Sequence, residues 1–159
     1  MQQASYGHPF VGPMFVAAML VFHLVFTRPF LPEVIVIASV TAVCTLIDSL
    51  YIDLGMLAFK SGYEHLPYIA PPWMSAIWVL YAMCLNHSLV WMNRFILPAA
   101  ILGSFVAVAC YKGGVEIGIV DFLISQKIGL AIIGIVWLFL FPLSLKFSRF
   151  VLGKYQNST

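Results

Sequence analysis

The sequence predicts an all-α protein, a polytopic transmembrane helical bundle of five spans in one domain, residues 1–159. Three observations carry this expectation. Several apolar runs reach the ~20 residues that a hydrocarbon core of ~30 Å requires. Hydrophobic residues make up 62% of the chain and charged residues 9%, where a soluble domain carries about 25% charged residues. The runs are apolar all round rather than alternating, which selects helices over a transmembrane barrel.

The first span is expected at about 12–27, opened by Pro13 in its first turn and stopped by Arg28-Pro29, with Pro32 beyond. The second, about 33–59, starts at Glu33 and is long enough to tilt or to end in an emergent polar turn. The polar loop Lys60-Ser-Gly-Tyr-Glu-His-Leu-Pro leads to the third, about 72–92. Asn93-Arg94 is a short turn into the fourth, about 95–111. The connection Lys112-Gly-Gly-Val-Glu-Ile-Gly is expected to lead through a short interfacial helix into the fifth span, about 128–150.

Direction follows from the basic residues. Arg28, Arg94, Lys146, Arg149 and Lys154 fall on one side; Lys60, Lys112 and Lys127 fall on the other. That bias puts the C-terminus in the cytoplasm and, with five spans, the N-terminus outside. Met1-Gln-Gln-Ala-Ser-Tyr-Gly-His-Pro lacks a basic n-region, so no secretory signal is expected. A net charge of +2 argues against a nucleic-acid partner and leaves the lipid bilayer as the expected surroundings. Cys44, Cys84 and Cys110 lie in apolar runs without a C-x-x-C pair and read as buried structural thiols.

Asp48 is the most informative residue, because a carboxylate at bilayer depth costs roughly 2.5–3.5 kcal/mol on insertion scales. It continues a polar stripe with Thr41 and Thr45 (or Cys44), a face expected to meet other helices rather than lipid. Its role is either a structural hydrogen bond between helices or a proton acceptor, cation ligand or substrate anchor. Asp53, five residues on and turned away from Asp48, reads as an interfacial residue and a secondary binding candidate. In the third span Asn86-His87-Ser88 places three polar residues in a row, which need partners at that depth. His87 can titrate, bind metal or shuttle a proton. Trp91, beside Asn93-Arg94, reads as an interface anchor that shares a helical face with His87.

Depth suggests two layers. His23, Asn86, His87 and Trp91 lie inward; Asp48, Asp53, Glu116 and Asp121 lie outward. Direct contact between Asp48 and His87 would need tilt, or water or substrate between them. Two histidines without a nearby carboxylate make a weak zinc signal, so neither metal nor cofactor is assigned. Ala99, Gly103 and Ala107 form a small-residue ridge for helix packing.

Thr45-Leu-Ile-Asp-Ser-Leu, then Trp78, then Leu85-Asn-His-Ser-Leu-Val-Trp91 resembles a bacterial inner-membrane family of unknown function. Its members show L-x-D-S-L, a tryptophan-bearing helix and L-N-H-S-L-x-W in that order. The resemblance implies Asp48, Asn86, His87 and Trp91 as the leading site residues and brings Trp78 among the binding candidates. It also implies an inner-membrane location and encoding near enzymes that modify unsaturated membrane lipids, relatives of cyclopropane-fatty-acid synthase among them. A further helix before Gly7-His8-Pro9, giving six spans, is expected of the family.

The leading expectation is an inner-membrane protein acting on, or with enzymes acting on, membrane lipids, with Asp48 or His87 transferring a proton or orienting an apolar substrate. One alternative is a small proton-coupled carrier, which requires a homodimer through the fourth-span ridge. The other is a non-catalytic membrane subunit.

Overall fold

The computed structural model describes residues 10–60 and 67–156. The N-terminal stretch read for a signal, and Glu64 and His65 of the polar loop, lie outside the described residues. The described residues form five α-helices: α1 (Val11–Phe26), α2 (Phe30–Asp53), α3 (Pro72–Leu85), α4 (Ile96–Glu116) and α5 (Gln126–Gln156). Two short strands, β1 (Leu57–Phe59) and β2 (Val120–Phe122), accompany them. The protein is all-α, and α2, α4 and α5 are long and apolar enough to cross a membrane. The 16 residues of α1 and 14 of α3 are apolar but fall short of a full crossing.

Each helix end has a local cause. Thr27 closes α1, its backbone N–H and its hydroxyl both donating to the carbonyl of His23 at 3.0 and 2.8 Å. The second helix begins three residues earlier than expected. Pro32 sits in its first turn, where a missing N–H removes no intrahelical bond. Glu33 is therefore carried inside the bundle and is 1% exposed.

At the opposite end α2 stops at Asp53 rather than near Phe59. Gly55 adopts φ +65°, and the N–H of Met56 reaches back to the carbonyl of Tyr51 at 2.9 Å. This is a Schellman closure, which favours glycine because the left-handed region carries no Cβ penalty there. Gly118 repeats the device after α4 at φ +74°, with Ile119 N–H donating to Gly114. Each helix thus releases a short strand, and the strands pair antiparallel with Leu57 opposite Phe122 and Phe59 opposite Val120. The interfacial helix expected between the last two spans is replaced by this strand pair. Lys60 and Asp121 approach to 3.5 Å across its exposed rim, a pair worth little in water.

The third helix ends at Leu85, not Met92. Asn86-His87-Ser88 forms a turn, Leu89 N–H donates to the carbonyl of Cys84, and a 3₁₀ segment Val90–Arg94 leads into α4. Asparagine and serine compete with helical hydrogen bonds and favour such turns. His87 and Trp91 consequently do not share a helical face.

The small-residue ridge of α4 packs on α5 within the same chain. Ala99 and Ala107 are buried, and a Cβ on Gly103 would collide with the ring of Phe141. Ser104 donates to the carbonyl of Gly134 at 2.8 Å along the same seam. The ridge is covered by α5, so a dimer through that face would have to displace it. Gly103→Val is expected to cost about 1–3 kcal/mol by overpacking, read as a lower unfolding midpoint in detergent. An unchanged midpoint would mean that Phe141 can move aside. Of the three cysteines only Cys44 is buried; Cys84 is half-buried and Cys110 exposed, which corrects the expectation of three buried thiols.

Candidate functional site

The polar residues form two separate layers. The first surrounds Glu33. His23 from α1 lies with Nε2 2.9 Å from Glu33 Oε1, and His87 from the turn after α3 lies with Nε2 3.2 Å from the same oxygen. Asn86 donates its side-chain N–H to Oε2 at 2.6 Å. The hydroxyl of Ser148 on α5 donates in turn to the side-chain oxygen Oδ1 of Asn86. The two imidazoles meet edge to face with ring centres 5.0 Å apart. One nitrogen from each and one Glu33 oxygen lie within 4.8 Å of one another, a set able to hold a metal ion. The carboxylate that the sequence reading found missing beside the histidines is Glu33.

The second layer is built on Asp48, 1% exposed near the C-terminal end of α2. The indole N–H of Trp78 on α3 donates to Oδ2 at 2.6 Å, and the hydroxyl of Tyr111 on α4 donates to Oδ1. Asp48 thereby joins three helices. Tyr51 packs edge-on to Tyr111, and its own hydroxyl is buried without a hydrogen-bond partner among the described residues, as is that of Thr41. Thr45 donates to Ser75, so the predicted polar stripe of α2 does face other helices. Trp78 stacks on Trp137 with ring centres 5.1 Å apart, and Tyr81 closes the group edge-on to both.

Glu33 and Asp48 are fifteen positions apart on α2, about 22 Å at 1.5 Å per residue. His87 contacts Glu33, so Asp48 and His87 belong to different layers and do not form a common site. Buried Val36, Ile37, Val40 and Cys44 fill the helix face between them. Of the remaining candidates, Asp53 and Trp91 are exposed and stand outside both clusters. Glu116 pairs with Lys112 at 3.8 Å on the surface. Tyr111, Ser148 and Glu33 are the members of these two clusters that sequence reasoning missed.

Between α3 and α4, which scarcely touch, lies a partly open groove of about 430 Å³. Its walls are almost wholly apolar and include Trp78, Tyr81, Val106, Cys110, Tyr111 and Trp137. Two of these, Trp78 and Tyr111, are the donors to Asp48. Gly103, Ala107 and Gly114 line it on the α4 side. The volume falls within the roughly 300–1,000 Å³ of small-molecule sites.

A family described as a protein of unknown function (DUF2878) matches residues 2–143. No curated protein and no solved structure matches the chain significantly. The chain belongs to the DUF2878 family, in line with its resemblance to a family of unknown function.

Proposed function

We propose that this family member is a bacterial inner-membrane protein that holds the apolar chain of a membrane lipid in the α3–α4 groove and acts on that lipid, or with an enzyme that modifies it. The observation that carries the reading is the groove itself, an apolar space of about 430 Å³ whose wall contains both hydrogen-bond donors to the buried Asp48. A hydrocarbon chain suits apolar walls, and a few fixed polar groups beside such a space orient what enters it. In this reading Asp48 is a positioning residue, since both its oxygens are engaged in fixing Trp78 and Tyr111.

A second reading, a non-catalytic membrane subunit, draws on that same engagement: the carboxylate has structural work joining α2, α3 and α4. The carrier reading draws no support from α2, where apolar Val36, Val40 and Cys44 lie between the two layers. The charge bias of the sequence supports a cytoplasmic C-terminus.

The test is lipid retention. Protein extracted in a native-membrane polymer would be analysed by mass spectrometry against the bulk membrane. Wild type is expected to enrich one lipid class. Val106→Trp and Cys110→Trp, both at exposed groove positions, are expected to lose about tenfold of it, the equivalent of ~1.4 kcal/mol. Enrichment unchanged by either tryptophan, or no enrichment in wild type, would sink the groove reading. A lipid profile of cells lacking the gene, restored by wild type but not by the groove variants, would separate an active role from mere retention.

A further inference from the structure

We infer that His23, Glu33 and His87 form a binding site for a divalent transition metal, zinc(II) or iron(II), with one coordination position open on the His87 side. The inference is independent of the lipid groove, which lies in the other layer.

Three segments of the chain converge to make the site. The closure of α1 at Thr27 and the early start of α2 turn the chain back on itself, so His23 and Glu33 come level across the bend. The turn after α3 then brings His87 to the same oxygen. Tetrahedral zinc with bonds of 2.0–2.1 Å places neighbouring ligand atoms about 3.3 Å apart. Glu33 Oε1 already stands 2.9 and 3.2 Å from the two imidazole nitrogens. The ligand atoms of the three residues all lie within 4.8 Å of one another, so an ion is admitted by a small outward shift of Glu33 and a turn of the His87 ring, the most exposed of the three.

The carboxylate is held as metal ligands are held. Asn86 fixes Oε2, Ser148 fixes Asn86, and Oε1 is left aimed at the imidazoles. Supporting hydrogen bonds of this kind orient metal ligands and are worth 10- to 100-fold in affinity. Exposure is graded as an open site requires: the Glu33 side chain is 2% exposed, His23 17% and His87 46%. Two imidazoles, one carboxylate and a free position are the donor set of catalytic zinc and of non-haem iron(II) centres. A cation there also answers the charge of an otherwise buried carboxylate, which is expensive to leave uncompensated.

The experiment is metal counting on the full chain purified in detergent, stripped with a chelator and dialysed against zinc(II) or, without oxygen, iron(II). About one ion per chain, by elemental mass spectrometry, is expected for at least one metal. His87→Ala changes the most exposed ligand, so it tests the site with little risk to folding, and is expected to weaken binding at least tenfold. Ser148→Ala, two hydrogen bonds back from the ligating Glu33, is expected to weaken it about tenfold through Asn86. Trp91→Ala, exposed and outside the triad, is expected to keep the ion. Wild type holding neither metal stoichiometrically, or His87→Ala binding as tightly as wild type, would overturn the inference. Loss of lipid enrichment with the metal retained would strike the groove alone.

Discussion

Asp48→Ala is expected to destabilise the bundle by about 2–6 kcal/mol, the sum of two orphaned donors at about 1–3 kcal/mol each. The Trp78 indole N–H and the Tyr111 hydroxyl both point at this carboxylate. Trp78 is 7% exposed and Tyr111 2%, so bulk water does not replace the lost acceptor. Folded proteins have only about 5–15 kcal/mol in total, so the larger end of that range would leave little. Asp48→Asn is expected to be far milder, about 1 kcal/mol. Its amide oxygen still accepts from Trp78, and its amide N–H can donate to the Tyr111 hydroxyl oxygen. Unfolding in detergent, followed by tryptophan fluorescence, compares the two variants. Equal losses for alanine and asparagine would contradict the hydrogen-bond account and make the charge the operative property.

The class of fold was readable because bilayer-length apolar runs admit few other structures. Boundaries were less readable, for identifiable reasons. Leu57-Ala-Phe continues the hydrophobicity of α2, and periodicity alone cannot distinguish three more helical residues from a short buried strand. Gly55 carried the signal for the stop, and Gly118 repeated it, but each glycine matters only because its φ is positive. The strand pair then depends on two segments more than sixty residues apart meeting at one end of the bundle, which no local pattern encodes. The end of α3 was closer to legible: three polar residues in a row inside a supposed span signalled a turn as well as a site.

Asp48 was legible as a site because a lone carboxylate in an apolar run has no local explanation, whereas of its donors Trp78 was indicated only by the family resemblance and Tyr111 not at all. Trp78 and Tyr111 are ordinary residues for membrane helices, and their convergence is tertiary. Glu33 was misread for a different reason. An acid next to a proline at the start of a span looks like a helix-start residue, favoured by the helix dipole. The informative step would have been to count inward from the bend at Arg28-Pro29. His23 and Glu33 lie at similar distances on either side, so a tight bend sets them level.

Glu33→Ala is the counterpart of the Asp48 substitution at the other end of the helix, with an expected loss of about 3–5 kcal/mol, typical of removing one partner from a buried ionic cluster. Asn86 would lose the acceptor for its side-chain N–H, and His23 would lose its carboxylate. The more exposed His87 can turn to solvent and contributes less. In a double-mutant cycle, Glu33→Ala and Asn86→Ala should couple by about 0.5–3 kcal/mol, as residues of one hydrogen-bonded network do. Coupling near zero would mean that the two side chains act separately. Glu33→Gln divides structure from charge. Its amide oxygen can accept from Asn86, while its two amide hydrogens can serve the two imidazoles as acceptors. The glutamine variant should therefore fold with a loss of about 1 kcal/mol, yet bind a divalent ion far more weakly. Stability retained with metal binding lost would show that the fold needs only the shape of Glu33, leaving its negative charge to a bound cation. A glutamine variant as unstable as the alanine one would instead make the charge itself, paired with imidazolium, the element that holds this end of the bundle closed.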